Sequence, residues 1–295
     1  MICVDWGTSQ LRAYRLDAHG SAIESRERPE GVLEVQLGGF PAALDAITRG
    51  WEADADLVLM SGMVGSRQGW LEVPYVDCPA DLTAIAGGVR RVEWRRGATA
   101  LICPGITCLD DNGVPDVIRG EEVQVMGALA LATDQKVGSI LVAGTHAKHV
   151  RVKGSVIAGF STYMTGEIFA VLKEHSILGL TMESGGRDFD EPAFARGVAR
   201  ARETGGLLHH LFGVRALVLQ GGLAGSAASD YLSGILIGHT LLAAGPQPPA
   251  LVIGAPVLAH RYCRAAAQFG ITAYPLASER ATLAGLDAVR RVIRD

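Results

Sequence analysis

Two small-residue turns that carry hydroxyls stand out in this chain: Gly7-Thr8-Ser9 and Gly144-Thr145. Each follows a run of buried-type residues, Ile2-Cys3-Val4-Asp5-Trp6 in the first case and Ile140-Leu141-Val142-Ala143 in the second. A Gly-Thr turn leaves backbone N–H groups free to approach phosphate oxygens, and the hydroxyl adds one more donor. Asp5 precedes the first turn and suits Mg²⁺, held directly or through water, because a carboxylate beside phosphates is the usual protein share of that ion's coordination. The second copy has Ala143 in that place, so the copies are not equivalent. Glu121 and Glu122 follow Gly120 a little before the second turn. A carboxylate there can accept a hydroxyl proton as the oxygen attacks a terminal phosphoryl group, and one of the two would serve as that base. Plainer readings exist for each feature taken singly: a tight hairpin for the turns, and a capped helix start with one acid paired to Arg119 for the glutamates. The occurrence of the turn twice shifts the balance toward phosphoryl transfer.

The elements that must position these residues repeat as well. After the first turn come a strand over residues 10–16, the Asp17-Ala18-His19-Gly20 turn and a third strand from 21 onward. After the second come a strand over 147–152, the Lys153-Gly154 turn and a strand over 155–160. A chain that builds one hairpin twice suggests two related lobes facing a nucleotide. Apolar spacing predicts a helix over 40–51 and a buried strand over 56–60 that leads into the glycine-rich Ser61-Gly62-Met63-Val64-Gly65-Ser66. A further strand covers 98–103, followed by a turn-rich stretch over 104–115 where we place the boundary between lobes 1–115 and 116–295. Helices over 121–133 and 167–178 each begin with a Gly-Glu pair, putting a carboxylate at the positive end of the dipole. Later helices cover 191–202, 207–212, 229–244, 257–269 and 278–293, with short strands at 216–219 and 251–253. Strand and helix alternate, as in the α/β class, and the last helix is expected to pack back on the N-terminal lobe.

Composition sets the class. With 295 residues, 48% hydrophobic and 20% charged, the chain suits a large core in about two domains. A net charge of -4 with scattered Lys and Arg argues against nucleic acid as a partner. The five cysteines, Cys3, Cys78, Cys103, Cys108 and Cys263, are odd in number and lack CxxC spacing. That argues against a disulfide framework or a zinc site and fits a reducing cytoplasm. No apolar run reaches the roughly 18 residues that span a bilayer, so neither a signal peptide nor a membrane anchor is expected. No GxxxxGK[ST] pattern is present, which rules out a P-loop kinase.

Secondary candidates follow the turns. Lys148 lies just past the second turn and is placed to approach a phosphate or to sit on a solvated strand face. His146 and His149 lack a third ligand nearby, which argues against a metal site. Gln220-Gly221-Gly222 and Ile253-Gly254-Ala255 each follow a short apolar run, where glycine lets adenosine lie against backbone; Gly254 is favoured because its strand leads straight into a helix.

Taken in order, several segments resemble the 2-dehydro-3-deoxygalactonokinase family. They are Asp5-Trp6-Gly7-Thr8-Ser9 with Arg12 close behind, Met63-Val64-Gly65-Ser66-Arg67-Gln68-Gly69-Trp70, Pro115-Asp116-Val117-Ile118-Arg119-Gly120-Glu121-Glu122, Gly144-Thr145-His146-Ala147-Lys148, Met164-Thr165-Gly166-Glu167 and Tyr231-Leu232-Ser233-Gly234-Ile235-Leu236-Ile237-Gly238. The resemblance spans nearly the whole chain. It implies the fold of sugar kinases, actin and heat-shock ATPases, with two lobes closing over a nucleotide and excluding water. It also implies ATP-dependent phosphorylation of the terminal 6-hydroxyl of 2-dehydro-3-deoxy-D-galactonate, with Mg²⁺ as the ion. Related kinases usually carry an acid in a Gly-Asp pair before the second phosphate hairpin, and Gly120-Glu121 occupies what looks like the matching place.

A keto-acid substrate needs a cation for its carboxylate and polar groups for its hydroxyls. Arg67, beside Ser66 in the glycine-rich loop, is the first candidate cation, and Trp70, Thr165 and Glu167 are candidates to line the sugar site by loop position. Arg67 also reads as a solvated loop residue and Trp70 as a core aromatic. Two alternatives to this kinase stay open: a kinase for another keto-sugar acid, and a nucleotide-gated binding or regulatory protein on the same fold, which would need no base.

Overall fold

The first apolar run forms β1 (Ile2–Trp6), buried on both faces except at Asp5. It lies between an antiparallel neighbour, β2 (Leu11–Leu16), and a parallel one, β4 (Val58–Gly62), which explains its near-continuous apolar character. With β3 (Ala22–Arg28), β6 (Arg90–Arg95) and β7 (Ala98–Ile102) these strands make a sheet of order β3-β2-β1-β4-β7-β6. Both edge strands, β3 and β6, are rich in Arg and Glu, a composition that discourages pairing with other chains. The computed structural model describes all residues except 37, 52–56, 96–97, 133–135, 184–187 and 295. Asp56 and Thr133, where the sequence reading starts a strand and ends a helix, lie outside the described residues.

The second hairpin gives β10 (Ser139–Val142), β11 (Ala147–Lys153) and β12 (Val156–Tyr163) in a sheet of order β12-β11-β10-β13-β14, completed by β13 (Ala250–Gly254) and β14 (Ala273–Ala277). As β1 pairs in parallel with β4, so β10 pairs in parallel with β13. The repeat in the sequence is thus a repeat of topology. A small sheet of β5 (Val76–Asp77), β8 (Ile106–Leu109) and β9 (Pro115–Ile118) has the order β5-β8-β9.

The chain divides into two compact units. The first holds Met1–Val137, Val150–Phe160 and Ala277–Asp295; the second holds Gly138–His149 and Ser161–Leu276. Residue 115, the boundary drawn from sequence, falls inside the first unit. In that unit α1 (Phe40–Thr48) buries Phe40, Ala43, Leu44 and Ile47 at helical spacing against a core that includes Trp6, Trp51 and Met60. Also in this unit are α2 (Leu82–Gly88), α3 (Glu121–Leu131) and α9 (Ser278–Arg294). The helices α3 and α9 pack so closely that a Cβ on Gly127 would lie 1.9 Å from the Ala281 carbonyl oxygen. The second unit contains α4 (Thr165–His175), α5 (Glu191–Arg200), α6 (Gly206–Leu219), α7 (Ala228–Ala244) and α8 (Pro256–Gln268).

Two sequence expectations change. Residues 216–219, read as a strand, are the last turn of α6, because a short apolar run has no periodicity of its own and α6 is apolar on most of its faces. Gln220-Gly221-Gly222 therefore follows a helix, with Gly221 at φ +72° in a turn after it. The strand β8 also sits inside the stretch read as turns, where it pairs with β5 and β9 rather than a main sheet. Among the described residues no helix is long and apolar enough to cross a membrane.

Candidate functional site

In the first unit, the turn after β1 closes with the Gly7 N–H donating to Gln10 O at 2.9 Å. A Cβ on Gly31 would lie 2.0 Å from Thr8 O, so the chain after β3 packs directly on the Thr8–Ser9 peptide and only glycine fits. Thr8 and Ser9 are exposed, and among the described residues their backbone N–H groups have no partner. Such free amides are what an anion nest requires.

Asp5 is half-buried at the same strand end, 3.8 Å from Arg12 Nη1. Burial pushes its carboxyl above the usual range; the Arg12 guanidinium pulls it down and the Glu121 charge pushes it up. Behind it, Gly62 at the end of β4 has φ +93°, and a Cβ there would approach Trp6 O at 2.8 Å and Asp5 Oδ1 at 3.4 Å. Gly120, with φ +104°, precedes α3, whose first turn holds both glutamates.

Those glutamates part company in three dimensions. Glu121 Oε2 accepts the Arg119 N–H at 3.0 Å, and the side chain stays partly exposed while sharing the field of Asp5. Glu122 is fully buried, its Oε2 accepts the Gly120 N–H at 2.7 Å, and its Oε1 has no partner. Burial, and then the Glu121 charge, push its carboxyl up to about 8. Both acids therefore bond the backbone just ahead of α3 from within its first turn, and of the two only Glu121 is partly exposed.

The sugar-site candidates of this unit separate too. Ser66 is buried with its hydroxyl unpartnered. Arg67 is 82% exposed and 3.5 Å from Glu72. Trp70 stacks on Phe40 with ring centroids 6.2 Å apart and packs against the first core. Sequence reasoning gave no role of its own to Arg119, whose Nη2 donates to Val73 O at 2.8 Å, whose guanidinium lies 4.3 Å over Tyr75, and whose Nε and Nη1 are buried without partners. No sequence pattern marks such a placement, which depends on the β9–α3 junction meeting the loop after β4.

In the second unit, the Gly144-Thr145 turn is open to solvent, and its N–H groups are likewise without partners among the described residues. Two other segments meet this turn. The start of α4 is fastened to it: the Glu167 N–H donates to Thr145 O at 2.9 Å, and a Cβ on Gly166 would lie 2.6 Å from Gly144 O. The end of β13 lies beside it, where a Cβ on Gly254 would come 3.1 Å from Ala143 O. Ala255 gives α8 no side-chain cap, so its first N–H groups add positive potential at an exposed helix start.

Lys148 is buried, with Nζ donating to Thr162 Oγ1 at 3.2 Å. Thr165 is buried and shares a 2.7 Å hydrogen bond with Thr240. Glu167 is partly exposed at the start of α4, with its Oε2 2.5 Å from His146 Nε2. Among the described residues no cluster of three or more His, Cys, Asp or Glu is placed to hold a metal. A Mg²⁺ site needs no such cluster, since this ion is commonly held by one or two carboxylates, water and substrate phosphates. Asp5, a half-buried carboxylate at the strand end that leads into the free amides of Thr8 and Ser9, fits that donor set.

The family model described as 2-keto-3-deoxy-galactonokinase matches residues 5–289. A Rhizobium meliloti protein named "Probable 2-dehydro-3-deoxygalactonokinase DgoK1" is 36% identical, over 98% of this chain and 96% of its own length. The Escherichia coli 2-dehydro-3-deoxygalactonokinase is 33% identical, over 99% and 98% respectively. A crystal structure from Sinorhizobium meliloti named after the same enzyme superposes with a TM-score of 0.89 at 34% identity, covering 99% of this chain and 98% of that one. Solved structures of the sugar kinase and ATPase fold at 11 and 12% identity, with TM-scores of 0.51 and 0.52, share the fold alone. The order of motifs, the duplicated hairpin topology and the full-length matches agree: the chain belongs to the 2-keto-3-deoxy-galactonokinase family.

Proposed function

We propose that this protein transfers the terminal phosphoryl group of ATP to the 6-hydroxyl of 2-dehydro-3-deoxy-D-galactonate, as a cytoplasmic enzyme of galactonate catabolism. The observation that carries the reading is the partly exposed Glu121 carboxylate beside Asp5, next to a turn whose amides lack partners. Glu121 accepts the hydroxyl proton as the oxygen attacks, which a carboxylate does best when desolvated yet reachable. Glu122 is the poorer base, because its oxygens are sealed inside the protein. It holds the Gly120 amide and so fixes where Glu121 starts from.

The free amides at Thr8 and Ser9, with Gly7, and those at Gly144 and Thr145 hold phosphate oxygens; Lys148 adds positive charge beneath the second turn, and Gly254 gives adenosine a bare backbone. Asp5 would hold Mg²⁺, whose charge offsets that of the phosphates when it is bound. For the sugar acid, Ser66 and Arg67 on the loop after β4 take the carboxylate end, with Trp70 bracing that loop from the core side. Thr165 orders the start of α4 from below.

The test is ADP release with ATP and Mg²⁺ across a panel of 2-keto-3-deoxy sugar acids, aldonic acids and neutral sugars. Turnover confined to 2-dehydro-3-deoxygalactonate supports the proposal. Turnover with a different acid reassigns the substrate, and failure with all of them in protein that binds ATP removes the kinase reading.

A further inference from the structure

His146 sits one residue past the Gly144-Thr145 turn, with its ring exposed. Its Nε2 lies 2.5 Å from Glu167 Oε2, and its Nδ1 has no partner among the described residues. Glu167 is fixed in turn by its own backbone, whose N–H donates to Thr145 O at 2.9 Å. Gly166, just before it, packs so tightly on Gly144 and Thr145 that a Cβ would come within 2.6 Å of a carbonyl oxygen. The imidazole is thus clamped at one nitrogen by a carboxylate whose position is set by the turn itself. The other nitrogen is left without a partner among the described residues, on the residue that directly follows that turn's free amides.

A carboxylate bonded to one ring nitrogen fixes the orientation of a histidine, and in the doubly protonated ring the other nitrogen is a second N–H donor, the polarity an anion requires. Where the neighbouring donors are backbone N–H groups of a Gly-Thr turn, the ligand group is an anion. We infer that His146, protonated at both ring nitrogens when the nucleotide is bound, donates Nδ1–H to one of its phosphate groups, and that Glu167 is its positioning residue rather than a ligand of the sugar. This inference rests on the kinase reading above and adds to it a side chain of the nucleotide site. It also moves Glu167 from the sugar to the nucleotide.

The chemistry of the two ring nitrogens supplies the test. In His146→Gln the amide nitrogen reproduces Nε2 and retains the bond to Glu167 while removing Nδ1. In His146→Asn the amide nitrogen reproduces Nδ1 and gives up the bond to Glu167. Affinities for ADP and for adenosine are measured by calorimetry on the full chain, with thermal melting as the control for folding, and KM is measured for ATP and for the sugar acid.

The expected result is a roughly tenfold or greater loss of ADP affinity in His146→Gln, as for a lost hydrogen bond to a charged group. His146→Asn should restore part of it, adenosine affinity should not change, and Glu167→Gln should raise the KM for ATP while leaving that for the sugar acid. Unchanged ADP affinity in a folded His146→Gln protein overturns the inference and leaves the pair as a fastening of α4, while the kinase reading stands. A rise in sugar-acid KM alone in Glu167→Gln also overturns it. Absence of any nucleotide binding by the unmodified protein overturns the kinase reading and this inference together.

Discussion

Gly120 and Gly62 meet backbone against backbone: a Cβ on Gly120 would lie 3.2 Å from the Gly62 Cα. Both have positive φ, so neither place suits an L side chain. Through this contact the chain leaving β4 and the chain entering α3 are locked together. The start of α3, with Glu121, is thereby held near the end of β1, with Asp5.

Replacing Gly120 by Ala tests that lock. The added methyl group meets both a disfavoured φ and the Gly62 backbone, and should destabilise the fold by about 1–3 kcal/mol. Turnover should fall further than the residual folded fraction explains, because Glu121 moves with the junction. Urea denaturation alongside steady-state rates gives both numbers; a variant with full stability and full rate would mean the junction relaxes freely.

The two glutamates should behave differently under isosteric change. Glu121→Gln should lose turnover by roughly 10² or more while still binding ATP, in line with removal of a general base. Glu122→Gln keeps the acceptor for the Gly120 N–H and should retain most activity. If Glu122→Gln proves to be the inactive variant, the assignment of the base is reversed.

Glu122 also predicts a pH dependence of stability. Its folded-state pKa, about 8, lies above the ordinary value of 4.5. Between those values the folded state therefore binds more protons than the unfolded one, and stability falls as pH rises. The cost is absent below about pH 4.5, grows through the window and is complete above about pH 8. Glu122→Gln removes it, so the variant's advantage over the parent should rise from near zero at pH 4 to a few kcal/mol at pH 9. Denaturation midpoints measured across that range check the sign, and a gain confined to low pH would contradict it.

Asp5→Asn keeps the size of the side chain and removes its charge. Turnover should drop by at least roughly tenfold, with the Mg²⁺ requirement shifted to higher concentration and sugar-acid binding little changed. A rate and Mg²⁺ dependence equal to the parent's would take Asp5 out of the chemistry.

The helix pair α5 and α7 offers a purely structural prediction. A Cβ on Gly234 would lie 2.1 Å from Phe194 O, and one on Gly197 would lie 2.1 Å from Tyr231 O. Gly234→Val should therefore force the helices apart at a cost of about 3 kcal/mol or more, seen as a lowered melting temperature. The Tyr231-to-Gly238 segment that marks the family is on this account a packing surface rather than a ligand site.

Much of this was legible in the residues because it depends on local rules. Asp5-Trp6-Gly7-Thr8-Ser9 and Gly144-Thr145 read as turns after buried strands, and β1 and β10 end where those turns begin. The helix starts at Glu121 and near Glu167 were marked by glycine and acid. The failures lie where the local signal is degenerate. Residues 216–219 could be strand or helix until α6 packed against its neighbours, and β8 is flanked by Pro104-Gly105 and Asp110-Asp111-Asn112-Gly113, which read as turns.

By itself the sequence determined the α/β class, the duplicated hairpin, its two Gly-Thr turns and the family, since spacing, turn chemistry and motif order are properties of the chain in one dimension. Only the tertiary structure decided which of two adjacent acids is partly exposed and which is sealed, that Glu167 grips His146, that Trp70 packs on Phe40 while Arg67 is exposed beside Glu72, and that two guanidinium nitrogens of Arg119 are buried. Neighbours in sequence point about 100° apart on a helix, so burial, desolvation and partners are set by what the rest of the fold brings to each side.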